Sequence, residues 1–313
     1  MSIVKNIYTC GTSFTVGGGF EFWKDDKRKT AYSNLGEEIS QHNFSYPGQL
    51  EKIINDDNIN VINLAKSGYG NELMYQEVYK IVNSSDFNKE TDVFFLEFSH
   101  LGRTELFSRK INKRIILNWN QIFSSDKKIK EPIAFEFNGW AETYWKDDTK
   151  EGILRIKLEK EYSLFFQKYI NNFDYKKSLR VMSNNSITFI SYLLQKGIKF
   201  WFTQPPLSIE PRYFEKLNWD SKLIDFDKES RGFMLDFALF SFNGAGTITH
   251  ETNGYIEDGH TGIVGNKVIA IKLYNHLIKN GLISNSMIDI DYSELNRISN
   301  IIKNNVLNTE NII

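Results

Sequence analysis

Residues 3–10 read IVKNIYTC, an apolar and β-branched run that ends at Gly11. Such a run predicts a short strand, and the glycine predicts the turn that stops it. Three more runs of this kind follow at 60–65 (NVINLA), 92–98 (DVFFLEF) and 198–203 (IKFWFT). The run at 92–98 is apolar nearly throughout, which is typical of a strand buried on both faces of a parallel sheet.

Helical spacing of apolar residues occupies the segments between these strands. Two segments, 47–56 and 71–83, precede the third strand, and the second begins with Asn71, a good capping residue. Two more helices are predicted at 186–196 and 264–280, each followed by a glycine. Alternating strands and helices indicate βαβ units. We therefore predict an α/β fold with three α/β/α layers and a flavodoxin-like, mainly parallel sheet.

One long region interrupts this alternation. Residues 104–185 are polar, aromatic and charged, with a helix predicted near 155–172. We interpret the region as a mixed, aromatic-rich insertion at the C-terminal edge of the sheet and expect it to serve as a lid or substrate-binding subdomain. Its tryptophans include Trp119, Trp140 and Trp145. The predicted catalytic domain, insertion included, covers residues 1–284. Residues 285–313 are polar and rich in Asn, which predicts a peripheral helix or a loosely packed tail.

The composition excludes several classes of function. The net charge is -1 and charged residues make up 25% of the chain, so a nucleic-acid partner is not expected. Cys10 is the single cysteine, which rules out an intrachain disulfide and favours a reducing compartment. We found no secretory signal and no apolar run that spans a bilayer, so we expect a cytoplasmic protein without a membrane partner. Metal binding is not expected, because His-Glu-x-x-His and cysteine clusters are absent from the sequence.

The residues that follow the predicted strands suggest acyl-transfer chemistry. In a parallel sheet, ligands bind at the carboxyl ends of the strands. Ser13 follows the first strand, and the segment Glu257-Asp258-Gly259-His260 precedes the last helix. Acyl transfer needs a hydroxyl that attacks, an imidazole that takes its proton, a carboxylate that orients the imidazole, and N–H groups that receive the oxyanion.

In these segments the chain resembles the GDSL/SGNH hydrolases. Gly11-Thr12-Ser13 is similar to the first block of that family, which implies Ser13 as nucleophile. The segment 63–68 (NLAKSG) is similar to the second block, which implies that Gly68 gives a backbone N–H to the oxyanion hole. The last block implies His260 as base and Glu257 as orienting acid. Asp258, beside Glu257, is a competitor for that role.

The chain departs from the family pattern in the remaining block. The Gly-x-Asn that follows the third strand is missing, and Ser99 or His100 falls where the oxyanion-hole Asn is expected. Loss of one such donor typically costs about 2.7–4 kcal/mol of transition-state stabilisation. Asn71, His100 and Arg103 are the candidate substitutes. We expect an oxyanion hole formed by Ser13, Gly68 and Asn71, with His100 and Arg103 as substrate contacts.

Each of these residues also has a structural explanation. Serine is a preferred helix N-cap, so Ser13 taken alone is better explained as a cap, and only its pairing with His260 favours the nucleophile. Arg103 is as readily a structurally paired residue as an anchor for a substrate anion. Cys10 ends a predicted buried strand, where a thiol is inert packing.

The resulting prediction is a serine esterase that needs no cofactor. Its expected substrate is a small-molecule or carbohydrate ester, with a carbohydrate O-acetyl group as the favoured case. A carbohydrate O-acyltransferase would use the same Ser13 and His260. The alternative outside the enzyme class is a binding or structural module that keeps the fold without catalysis. No pattern in the sequence sets an oligomeric state.

Overall fold

The computed structural model describes residues 4–17, 40–66, 70–98, 103–108, 113–118, 135–137, 175–203, 263–298 and 300–301. Within these ranges, the predicted α/β class is confirmed. The central sheet has four parallel strands, and each lies within a run that the sequence predicts as a strand. The strands are β1 (Asn6–Cys10), β2 (Asn60–Asn63), β3 (Asp92–Glu97) and β7 (Lys199–Thr203).

The strand order is β2-β1-β3-β7, so β1 and β3 are the inner strands. At the amino edge, polar side chains link three of them. The Asn60 side-chain amide donates to Asn6 Oδ1 (2.9 Å), and the Asn6 amide donates to Asp92 Oδ1 (2.8 Å). These side-chain bonds hold the same residue pairs that the backbone ladder aligns, and they help fix the register of the sheet.

Side chains of β3 alternate between two hydrophobic clusters, because successive residues of a strand point to opposite faces. Val93 and Phe95 belong to one cluster, and Phe94 and Leu96 belong to the other. Every residue of β3 is buried. This accounts for the nearly unbroken apolar character of 92–98.

The first cluster packs helices α3 (Tyr46–Ile54) and α6 (Ile263–Lys279) against the sheet. From α3 it takes Tyr46, Leu50 and Ile54, and from α6 it takes Ile269, Ala270, Leu273, Tyr274 and Leu277. The predicted helices at 47–56 and 264–280 are thus confirmed with small shifts at their ends. Gly281 has a φ of +69°, a left-handed conformation that suits glycine, where the chain leaves α6.

The second cluster packs helices α4 (Asn71–Val82) and α5 (Tyr175–Gln195). Its aromatic contacts include a stacked pair of Tyr75 and Phe189, with ring centroids 4.2 Å apart. The Tyr75 hydroxyl also lies 2.7 Å from the Ser186 Oγ in a buried hydrogen bond between the two helices.

Two details differ from the sequence prediction. Helix α5 begins at Tyr175, well before the predicted start at 186, so the first part of that helix extends into the region interpreted as insertion. Asn71 does not cap α4: it is the first residue of the helix, and the flanking residue is Gly70, which has no side chain to bond. A glycine in extended conformation fits this flanking position at little cost.

Part of the insertion is a second, antiparallel sheet. It has the order β4-β5-β6, with β4 at Arg103–Ser108, β5 at Lys113–Asn118 and β6 at Phe135–Phe137. These strands were not predicted from the sequence. The predicted helix near 155–172 and the three tryptophans lie outside the described residues.

Two short helices complete the described core on the side of α3. They are α1 (Ser13–Val16) and α2 (Gln41–Phe44). Near the C-terminus, residues 292–298 are helical, with Leu295 and Ile298 buried. Among the described helices, none combines the length and the apolar character needed to cross a bilayer.

Candidate active site

The carboxyl ends of β1 and β3 lie side by side in the middle of the sheet. From β1 the chain passes to β2 on one side, whereas β3 is followed in the sheet by β7 on the other. The strand order therefore reverses between β1 and β3, and such a reversal opens the crevice where open α/β sheets bind ligands. Gly11, Thr12 and Ser13 follow β1 at this point.

Ser13 is the first residue of α1. The Val16 N–H donates to the Thr12 carbonyl (3.1 Å), so Thr12 is the residue that flanks the helix. This backbone arrangement weighs against the alternative explanation of Ser13 as an N-cap.

One carboxylate, not singled out from the sequence, contacts the segment Thr12–Thr15, which we call the Ser13 turn. Glu97 is the last residue of β3 and is 3% exposed. The Thr12 hydroxyl donates to Glu97 Oε1 (2.5 Å), and the Thr15 hydroxyl donates to Glu97 Oε2. Both threonine side chains are buried. One carboxylate thus holds the residues on both sides of Ser13.

Tyr46, the first residue of α3, extends this set of hydrogen bonds. Its hydroxyl lies 2.8 Å from the Thr15 Oγ1. Since the Thr15 proton is donated to Glu97, we assign Tyr46 as the donor. Burial and then the negative charge of Glu97 hold the pKa of Tyr46 well above its usual value, which keeps the phenol protonated.

Gly11 allows the close approach of these groups. A Cβ placed on Gly11 would lie 2.7 Å from the Glu97 Cβ and 3.0 Å from its Oε2, and it would also collide with the Thr15 hydroxyl. Gly11 is therefore required here because the Glu97 side chain and the Thr15 hydroxyl occupy the space that a Cβ would take.

Asn63, the last residue of β2, lies beside the same turn. The Asn63 side-chain amide donates to the Thr15 carbonyl (3.2 Å), and its Oδ1 accepts from the Ala65 N–H (3.1 Å). The Lys66 N–H donates to the Gly11 carbonyl (3.4 Å). The chain therefore passes next to the Ser13 turn immediately before Gly68, the expected oxyanion donor. Gly68 itself lies outside the described residues.

Asn71, the other expected donor, is 8% exposed at the start of α4. Arg103 is the first residue of β4, where its backbone pairs with Asn118. His260, Glu257, Asp258 and His100 lie outside the described residues. The triad and the substrate contacts predicted from the sequence therefore remain predictions.

The helix that follows His260 is anchored near the Ser13 turn. Asn266, fully buried in the first turn of α6, donates to the Phe44 carbonyl (2.8 Å). Phe44 ends α2, two residues before Tyr46, whose hydroxyl bonds to Thr15. Short covalent and hydrogen-bonded links thus connect the start of α6 to α1.

Cys10 is confirmed as a buried residue, 1% exposed at the end of β1. Burial, with a smaller contribution from the charge of Glu77, raises the pKa of its thiol. A thiol in this state is a poor nucleophile. Within the described ranges, no group of three His, Cys, Asp or Glu side chains is placed to hold a metal ion.

The described geometry thus defines an α/β domain with a polar turn at the reversal of its strand order. A scan against protein-family models, a search of curated proteins and a search of solved structures each found no match to this chain.

Proposed function

We propose that the chain is a serine esterase of the GDSL/SGNH type, built as a three-layer α/β/α domain on a flavodoxin-like sheet with an inserted subdomain. One observation carries the proposal: Ser13 begins α1 directly after an inner strand, at the carboxyl edge where the strand order reverses. This is the location at which an α/β sheet presents reactive groups to a ligand.

In the proposed reaction, Ser13 Oγ attacks the ester carbonyl while His260 takes the hydroxyl proton. The tetrahedral intermediate is stabilised by N–H groups of Ser13 and Gly68 and by Asn71. His260 then protonates the departing alcohol, which leaves Ser13 acylated, and a water deprotonated by His260 releases the acid. Glu257 or Asp258 orients the imidazole.

For the substrate we propose a carbohydrate ester, with an O-acetyl group as the favoured acyl group. The resemblance to the family and the tryptophans of the inserted region support this choice. His100 and Arg103 are the proposed substrate contacts. We further propose that the enzyme needs no cofactor and acts in the cytoplasm.

The proposal is tested by labelling the intact protein with a fluorophosphonate and by turnover of p-nitrophenyl acetate. Ser13→Ala should abolish labelling, and both Ser13→Ala and His260→Ala should lower kcat by about 1,000-fold or more. Ser84→Ala, at an exposed serine after α4, serves as the matched control and should leave both activities unchanged. Labelling that survives Ser13→Ala would exclude Ser13 as nucleophile.

The orienting acid is identified by comparing Glu257→Gln with Asp258→Asn. The variant of the true partner should lose most of kcat because the imidazole is left in the wrong tautomer, whereas its neighbour should retain near wild-type kcat. Equal, small effects of both variants would exclude the Glu257–Asp258 pair as triad acids.

The missing Gly-x-Asn supports a second candidate, a module that keeps the fold and has lost catalysis. It predicts no labelling of the wild-type chain under conditions that label an authentic serine esterase. An acyltransferase is distinguished from an esterase by rapid release of nitrophenol followed by transfer of the acyl group to added sugar in preference to water.

A further inference from the structure

Glu97 differs from the other buried acid of β3 in what its carboxylate contacts. Strand β3 carries an acid at each end, Asp92 and Glu97, and both are buried. Asp92 accepts from Asn6 and from the Asn88 N–H at the amino edge, where it fixes the sheet register. Glu97, at the carboxyl edge, accepts from two hydroxyls that lie on either side of Ser13.

The two hydroxyls constrain the turn because each leads to a different part of it. Thr12 is bonded through its side chain to Oε1, and Thr15 is bonded to Oε2 of the same carboxylate. Two bonds to one rigid, planar group fix the separation of Thr12 and Thr15, and Ser13 lies between them. The Tyr46 hydroxyl and the Asn63 amide hold Thr15 from two further elements.

A carboxylate suits this task better than an amide because each of its two oxygens can accept a hydrogen bond, as they do here from Thr12 and Thr15. A side-chain amide has one acceptor oxygen and one donor NH2 group, so it cannot accept from both hydroxyls.

We propose that Glu97 is a positioning residue for the nucleophile: by bonding Thr12 and Thr15 on either side of Ser13, it holds the turn in the geometry needed for attack. This inference rests on the proposed role of Ser13 and names a residue that acts through it.

The test measures the second-order rate of fluorophosphonate labelling of the intact chain at a temperature where every variant is folded. Glu97→Gln converts one acceptor oxygen to a donor and should slow labelling by about tenfold or more, since a misplacement of about 1 Å can cost about 100-fold. Asp92→Asn makes the same change at the opposite end of β3. This control should stay within about threefold of wild type.

A second pair of variants avoids changing a buried charge. Thr12→Val keeps the shape of the side chain and removes its hydroxyl, and it should slow labelling as Glu97→Gln does. Thr12→Ser restores the hydroxyl and should restore the rate. In combination with Glu97→Gln, Thr12→Val should add little, because both changes break the same bond.

Hydrogen exchange of the amides at residues 13–16 provides a readout that is independent of catalysis. Exchange should accelerate in Glu97→Gln and in Thr12→Val, but not in Asp92→Asn. If exchange is unchanged in Glu97→Gln, the positioning role is overturned. It is also overturned if Glu97→Gln labels at the wild-type rate, or if Asp92→Asn slows labelling equally.

Failure of the proposed function gives a different result. If the wild-type chain is not labelled at all, Ser13 is not an active nucleophile and the catalytic part of the inference falls with it. The exchange measurement then still decides whether Glu97 holds the turn.

Discussion

At position 11 a side chain is excluded by neighbouring atoms, not by the φ angle of the residue. A Cβ there would meet Glu97 and the Thr15 hydroxyl. We expect Gly11→Ala to lower the free energy of unfolding by about 1–3 kcal/mol, because an overpacked site must move its surroundings. Labelling of Ser13 should fall as well. Urea denaturation and the labelling rate measure the two effects.

Gly197 is the matched control for this prediction. Its φ is +67° and nothing lies within 4 Å of its Cβ position, so Gly197→Ala should cost about 1–2 kcal/mol through backbone strain alone. Ser13 labelling should then remain at the wild-type rate. A labelling defect of the same size in both variants would contradict a specific role for Gly11.

Because Cys10 is buried, we expect the free energy of unfolding to fall as the pH becomes alkaline. The pKa of Cys10 is raised by burial and then by the charge of Glu77, whereas in the unfolded chain a thiol titrates near its usual value of about 8.5. Below that pH the contribution to stability is fully present. Above it, unfolding releases a proton, and the free energy of unfolding should fall by about 1.4 kcal/mol per pH unit.

Urea denaturation between pH 7 and pH 9.5 measures this slope before most tyrosines titrate. Cys10→Ala removes the thiol, so its stability should change much less over the same interval, whatever its absolute value. An equal slope in both proteins would show that another group is responsible.

The hydrogen-bond partners of Glu97 could not be predicted from the sequence, although the residue itself could have been noticed. Glu97 could have been noticed as an acid at the carboxyl end of an otherwise apolar strand. Its partners could not: Thr12, Thr15 and Tyr46 come from three separate segments, and only the folded chain brings their hydroxyls to one carboxylate. Contacts of this kind carry no local periodicity.

At the scale of elements, α4 and α5 are joined by a buried polar contact inside an apolar cluster. Tyr75→Phe removes the hydrogen bond to Ser186 and keeps the ring that stacks on Phe189. In a double-mutant cycle with Ser186→Ala, we expect a coupling of about 0.5–1.5 kcal/mol in the free energy of unfolding.

Thr188, exposed on the same helix, is the control position for that cycle. Its hydroxyl donates to the Asn184 carbonyl one turn earlier in α5 (2.9 Å). Thr188→Ala should change stability by about 0.5 kcal/mol or less and should not couple to Tyr75→Phe. A coupling below about 0.3 kcal/mol for the buried pair would contradict a stabilising hydrogen bond between Tyr75 and Ser186.

The elements of the central sheet were predicted well because each has a strong local pattern. The apolar runs and the helical spacing located all four parallel strands and the helices α3, α4 and α6. The start of α5 was missed because its first turns, with Lys176, Lys177 and Arg180, look like the polar region before it. The antiparallel strands β4–β6 were missed since their pairing, rather than their composition, defines them.

For the whole molecule, the two hydrophobic clusters lie on opposite faces of one sheet. Ile7 belongs to the first cluster and Ile190 to the second, and both are fully buried. Each Ile→Val substitution should cost about 0.5–1.5 kcal/mol, and the double variant should cost their sum within about 0.5 kcal/mol. Urea denaturation of the three proteins measures this. Val181→Ala, at an exposed position, should have little effect.

The sequence located the candidate site at the carboxyl edge of the sheet, and the positions of Gly11, Thr12 and Ser13 agree with that location. The chemistry depends on groups from distant segments. His260 lies close in sequence to α6, and its distance from Ser13 is a property of the tertiary structure that no spacing rule supplies. The sequence therefore predicts where the candidate site lies in the fold, whereas the reaction at that site stays a hypothesis.

The pairing of β3 with β7 has a consequence for how the chain reaches this structure. The described helices between β1 and β2 are α1, α2 and α3, and the one between β2 and β3 is α4, whereas the β3–β7 ladder joins Val93 to Lys199 across the whole inserted region. Closing so long a loop costs entropy before its contacts form, and such contacts slow folding. We therefore expect β1, β2 and β3 to assemble first, with β7 completing the sheet in the slow step.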